Sequence, residues 1–221
     1  MVFKIGILGG IGPESTGIFY LKLIRKLQEK GLIKSNLDFP QIIINSIPAP
    51  ELIFDKISNK DLEMYVKGIK ELDALNPNFI VMVCNTIHLF YDELQSEIKC
   101  ELIDLRKEVL NALENKNITI IGTPSTICLG LYDFEGIKYY NPNKDEMKIL
   151  TNAIFNFNQG IEKEKQRQKV LEIINKYLSC GSEIILLACT EFAAMFEDVD
   201  IPKINTIDVL VNAVVRRYSQ K

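Results

Sequence analysis

The feature that most constrains this chain is that it reads twice. KIGILGGIGPEST near the start is echoed by ITIIGTPST in the second half, each an apolar run, a turn of small residues and a helix start. FIVMVCNTIH, beginning at Phe79, is echoed by EIILLACTEF, beginning at Glu183. In both, a strand pattern apolar on every position ends in a cysteine, Cys84 or Cys189, with threonine following within two residues and then a helix. A chain ordered this way is expected to fold as two similar α/β units.

The same alternation runs through the whole sequence. FKIGIL, QIIINS, FIVMVC, CELID, ITIIG, IKYYN, EIILLAC and KINTI read as strands, with amphipathic helical stretches between most of them. The first helix is expected to begin near Pro13 to Ser15, to bury Ile18, Phe19, Leu23, Ile24 and Leu27, and to stop at Gly31. A later one, near Glu162 to Ser179, stops at Gly181. The expected architecture is two pseudo-symmetric α/β domains, each a mostly parallel sheet flanked by helices: residues 1–105 with 206–221, and residues 106–205. The crossover falls on a helix near Leu105 to Asn115, and the last helix, Thr206 to Ser219, returns to the first domain. Ligands of open parallel sheets bind beyond the carboxyl ends of the strands, so two facing sheets would bring Cys84 and Cys189 to one cleft from opposite sides.

Composition removes several classes of function. With 26 basic and 29 acidic residues the chain carries no electrostatic footprint for nucleic acid, and the lysines from Lys163 to Lys169 alternate with Glu and Gln as on a solvated helix face. The apolar runs are too short to span a bilayer and the first residues lack a signal-peptide pattern, which makes the cytoplasm the expected location. Five cysteines without a CxxC pair, and a single histidine, argue against a disulfide framework and a structural zinc site. Cys100, Cys128 and Cys180 lack the strand-end context and read as packing residues.

A cysteine at a strand end and helix start feels backbone N–H groups and the positive helix terminus, which are expected to lower its pKa from about 8.5 toward neutrality. One thiolate and one thiol facing each other suit removal of a proton from one face of a carbon and its return to the other.

GILGGIGPEST, VCNTIH and ACTEF, taken in this order, resemble the three motifs of the aspartate/glutamate racemase family, in particular its aspartate-racemase branch. The resemblance covers essentially the whole chain. It implies an isomerase: a racemase of small amino acids, aspartate above all, working without pyridoxal phosphate or any other cofactor in a cleft between two domains, and frequently as a homodimer. Carried over by motif, Cys84 and Cys189 become the acid/base pair, and Asn85, Thr86 and Thr190 become groups that hold the substrate carboxylate or the cysteines. The turn GTPST resembles the family's polar substrate loop and nominates Thr123, Ser125 and Thr126, helix capping by Ser125 being the plainer alternative. Glu191 and Asn45 are candidates for supporting roles, Glu191 by tuning Cys189; His88 either does the same for Cys84 or packs against its own helix.

Departures from the family pattern bear on the substrate. The cell-wall type of glutamate racemase has an Asp-Ser motif near the start and a histidine after the second Cys-Thr; here stand GGIGPEST and Glu191. The aspartate-type branch has a basic residue after the second strand and a lysine in the second half. Here Leu52 lies near the first position and Asn158 or Gln159 near the second. A side-chain carboxylate then needs another cation, such as Lys163 or Lys165, or the substrate is not a simple dicarboxylate. Three rivals stay open: a maleate-type isomerase, arylmalonate-type decarboxylase or hydantoin racemase using the same cysteines; a silent binding protein with the same cleft; and, last, a dinucleotide-dependent oxidoreductase, since GILGGIG is out of register for the G-x-G-x-x-G turn.

Overall fold

All eight apolar runs form strands. The computed structural model describes residues 2–53, 57–113 and 116–221. The first half runs β1 (Lys4–Gly9), α1 (Pro13–Glu29), β2 (Gln41–Ser46), α2 (Asn59–Asp73), β3 (Phe79–Met82), α3 (Tyr91–Ser96), β4 (Glu101–Leu102) and α4 (Leu105–Ala112). The second runs β5 (Ile118–Gly122), α5 (Pro124–Cys128), β6 (Tyr139–Tyr140), α6 (Lys144–Asn158), α7 (Lys163–Ser179), β7 (Ile184–Ala188), α8 (Thr190–Met195), β8 (Lys203–Asn205) and α9 (Thr206–Ser219). The expected crossover helix is α4, ending at Ala112; Asn115, its expected end, lies outside the described residues.

Two four-stranded sheets result, ordered β2-β1-β3-β4 and β6-β5-β7-β8, with every pair parallel. The two orders are the same order, so the duplication read in the sequence is a duplication of topology. β1 and β3 are the central pair of one sheet, β5 and β7 of the other.

Pleating divides the central strands between two cores. Ile5 and Ile7 of β1 and Phe79 and Val81 of β3 face a cluster that continues through Ile120 of β5, Leu186 of β7 and Leu210 and Val214 of α9. Leu8, Ile80 and Met82 point the other way, under Leu62, Tyr65, Ile69 and Leu72 around α2. The last helix packs on α1 and α4 and also touches α8, β7 and β8. Lys22 of α1 reaches Asp208 of α9 at 2.5 Å, and Arg216 and Arg217 of α9 grip Glu108 of α4 at 2.6 and 3.0 Å.

Helix α1 buries Phe19, Leu23 and Leu27, with Ile18 and Ile24 half-buried beside them. It starts at Pro13, where the missing N–H of proline is harmless. It is followed by Gly31 at φ +66°, and α7 by Gly181 at φ +102°, a backbone region that disfavours other residues. Among the described residues no helix is long and apolar enough to cross a membrane.

Candidate active site

Where the carboxyl ends of the two central strand pairs converge there is a cavity of about 150 Å³, bounded by the turn Gly10 to Pro13 after β1, by Leu52 and Ile53 after β2, and by Cys84, Thr86, Thr123, Cys189 and Thr190. A cavity of roughly this volume holds a molecule the size of benzene. Cys84 lies two residues beyond β3 and Cys189 directly after β7, each 7% exposed. The equivalent strands of the two sheets thus deliver one thiol each to one small space.

The two thiols are held differently. Cys189 donates its Sγ–H to Oε2 of Glu191 at 2.8 Å, and Thr190 Oγ1 donates to the same oxygen at 3.2 Å. Asn158, at the end of α6, donates Nδ2 to the other oxygen of Glu191 at 3.1 Å. Gly12 passes so close that a Cβ there would lie 2.6 Å from Glu191 Oε1, and its φ is +66°. Among the described residues no carboxylate hydrogen-bonds Cys84; its sulfur is faced by the backbone N–H groups of Ile87 and Thr86.

The expected lowering of the thiol pKa values is reversed in the structure. Burial pushes Cys84 up to about 12 and also raises Cys189 well above the usual thiol range, the neighbouring Glu191 charge and hydrogen bond adding to it there. The backbone N–H groups pull the other way and lose. The reason is local: Cys84 is followed not by an α-helix but by a 3₁₀ turn, Thr86–Phe90, and α8 beyond Cys189 has six residues, so the helix-terminus field is small beside the loss of water.

The threonines cluster. Thr86 Oγ1 lies 3.1 Å from Thr123 Oγ1 and 3.0 Å from Thr126 Oγ1, joining the two halves, while Thr123 caps α5 by accepting from the Thr126 backbone N–H at 3.1 Å. Thr123 and Thr86 line the cavity; Thr126 and Ser125 are fully buried behind it. Asn85 also lines it, but its side-chain amide is engaged elsewhere. Oδ1 accepts from the Tyr132 hydroxyl at 2.5 Å and Nδ2 donates to Thr206 Oγ1 at 3.1 Å. Asn85 is therefore a strut between the sheets as well as a wall. Asn45 stands apart: its Nδ2 binds the Gly68 carbonyl and Glu71 on α2, at 3.1 and 2.9 Å, and it is not among the lining residues. His88 is wholly buried, lies parallel to the Tyr91 ring at 6.4 Å and is not among the described residues that line the cavity.

Neither nominated lysine turns to the cavity. Lys163 pairs with Glu14 on α1, and Lys165 with Glu162 at 3.0 Å. Both departures flagged in the sequence do line it, Leu52 and Asn158. Residues not singled out from sequence include Glu51, Ile154, Gly12, Tyr132 and Thr206. Gly12 was visible in the GGIGP turn, whereas Tyr132, in the turn after α5, carries no motif.

Two buried thiols at equivalent strand ends of two parallel sheets of the same strand order, both on one cavity, are the features that define this class of protein. The family model described as Asp/Glu/Hydantoin racemase matches residues 8–214, and the chain belongs to that family. A broad specificity amino-acid racemase, RacX of Bacillus subtilis, is 25% identical over 221 residues, 97% of each chain. Among solved structures, the aspartate racemase of Picrophilus torridus superposes with a TM-score of 0.81 at 23% identity, over 98% of this chain and 94% of that one. An aspartate racemase homologue from Pyrococcus horikoshii gives 0.76 at 25%, over 98% and 99%.

Proposed function

We propose that this chain racemises a small amino acid by passing the Cα proton between Cys84 and Cys189, using only its own side chains. The observation that supports it most is the pairing of two buried thiols, contributed by equivalent strands of the two sheets, on one cavity of amino-acid size.

The proton inventory follows from the surroundings of each sulfur. Cys189 donates to Glu191 and is the thiol; Cys84, facing backbone N–H groups, is the sulfur better suited to carry the thiolate. A thiolate whose conjugate acid has a high pKa is a strong base, and the α-ammonium of an entering amino acid, a cation brought into the same dry space, would lower the cost of forming it. Once Cys84 takes the proton from one face, Cys189 gives one to the other, and the reverse reaction exchanges the roles. Threonine hydroxyls and backbone N–H groups at the strand ends suit the α-carboxylate, onto which charge spreads in the transition state. Glu191 accepts the hydrogen bond of the Cys189 thiol in the resting arrangement, which keeps that sulfur protonated and so sets it as the starting acid.

Aspartate is the substrate the resemblance nominates, and it is the first to test. The experiment incubates purified protein without added cofactor in D2O under reducing conditions with single L-amino acids, aspartate included, following Cα deuteration and the D/L ratio together. Deuteration with inversion is expected. Cys84→Ala and Cys189→Ala should each reduce two-way racemisation at least a thousandfold, and one variant with full turnover in both directions would overturn the two-thiol scheme. Deuteration without inversion would favour a one-sided lyase or isomerase on the same scaffold.

A further inference from the structure

We propose that the outer part of the cavity selects an amino acid whose side chain is aliphatic and ends in a cation, with Glu51 as the selecting residue. This rests on the racemase reading above and specifies its substrate.

Among the described residues lining the cavity there is no lysine or arginine. The apolar lining is made by Ile11, Ala49, Leu52, Ile53 and Ile154, and among the described residues its charged groups are both acidic, Glu51 and Glu191. Those two carboxylates differ in what they have to bind. Glu191 already accepts from Cys189, Thr190 and Asn158. Glu51 makes no hydrogen bond or ion pair to any described residue, although it lines the cavity and reaches solvent.

Its backbone is fixed on both sides. The Tyr65 hydroxyl donates to the Pro50 carbonyl at 2.5 Å, and Leu52 and Ile53, each 3% exposed, are sunk into the protein. Glu51 is thereby held at the rim. The enclosed volume of about 150 Å³ is taken up by the α-carbon, its carboxylate, its ammonium and the first side-chain carbons. A longer side chain runs along the apolar wall to Glu51. An aspartate or glutamate side chain would instead bring a carboxylate toward Glu51 with no described cation to offset it.

Since Glu51 is exposed, its attraction is modest and screened by salt, about fivefold in binding for an exposed pair. The test measures kcat and KM for L-lysine, L-ornithine, L-leucine and L-aspartate at low and high ionic strength, by inversion and Cα deuteration. Lysine and ornithine are expected to lead in kcat/KM, aspartate to come last. Glu51→Gln should lower the lysine-to-leucine ratio about fivefold, through KM rather than kcat, and high salt should do the same to the wild type. Glu51→Lys should raise the aspartate-to-lysine ratio tenfold or more. Ratios within one preparation cancel any loss of folded enzyme. A wild type that prefers aspartate to lysine, or a lysine-to-leucine ratio that Glu51→Gln leaves unmoved, overturns the proposal while the racemase reading stands. Absence of exchange and inversion with every amino acid overturns both.

Discussion

The contact between Gly12 and Glu191 shows how little space the second thiol's support has. An alanine at position 12 would need a left-handed backbone that costs about 1–2 kcal/mol, and its Cβ would collide with the Glu191 carboxyl. Gly12→Ala is therefore expected to lower stability by about that amount and kcat by more than tenfold, because Glu191 must move away from Cys189; an unchanged kcat would separate Glu191 from catalysis. His88 gives a second prediction at this scale. Burial holds its imidazole down at about 4, against 6.5 for a free histidine, with the nearby Asp104 charge pulling weakly upward. The unfolded chain takes up the proton near 6.5 and the folded one only near 4, so the unfolded state binds more protons between those values. Stability should fall as pH drops through this window, by up to about 3 kcal/mol, and His88→Leu should flatten the fall. It is the only histidine of the chain, so its ring resonance can be followed without assignment; one that titrates near neutral pH would show that the ring is not buried.

Between elements, the clearest single joint is Glu108 on α4, 8% exposed and gripped by Arg216 and Arg217 of α9. Glu108→Ala should destabilise by about 1–2 kcal/mol, less than a fully buried pair would, because the arginines can turn to water; a urea midpoint shift with unchanged slope would check it. Joints such as this one have no sequence signature, since Glu108 and the arginines lie more than a hundred positions apart. Strands and helix ends were more legible. The continuous apolar stretches of FIVMVC and EIILLAC suit strands covered on both faces, β3 and β7, whereas QIIINS forms the partly exposed edge strand β2, and glycine at positive φ stops α1 and α7 where the sequence puts Gly31 and Gly181. The cysteines stood out because the two halves echo each other. What they experience did not, since the direction of a thiol pKa is decided by how completely tertiary packing excludes water, and neither Cys84 nor Cys189 announces that locally. Glu51 was missed for the opposite reason: an acidic residue in a proline-rich loop reads as surface, and only the folded loop turns it toward the cavity.

At the scale of the whole molecule, the two sheets are not joined only at a cleft. One apolar cluster runs from Ile5 and Val81 of the first sheet through α9 to Ile120 and Leu186 of the second. Polar ties cross beside the cavity: Tyr132 to Asn85, Asn85 to Thr206, Thr86 to Thr123 and Thr126, and, at the surface, Glu14 to Lys163. A shared core of this kind makes separate melting of the halves unfavourable, because unfolding either one exposes apolar surface on the other. Thermal unfolding is therefore expected as one transition. Tyr132→Phe tests the coupling, since it removes the hydroxyl but keeps the ring, and leaves Asn85 Oδ1 buried without its donor at a cost of about 1–2 kcal/mol. For a chain of this length that is a fall of roughly 2–8 °C, still in one step. Racemisation should weaken as well, because Asn85 immediately follows Cys84 and is the wall that this strut holds in place. A variant that melts in two steps would show that the halves are independent units meeting only at the thiols, and that the alignment of Cys84 with Cys189 depends on the Tyr132 tie more than on the shared core.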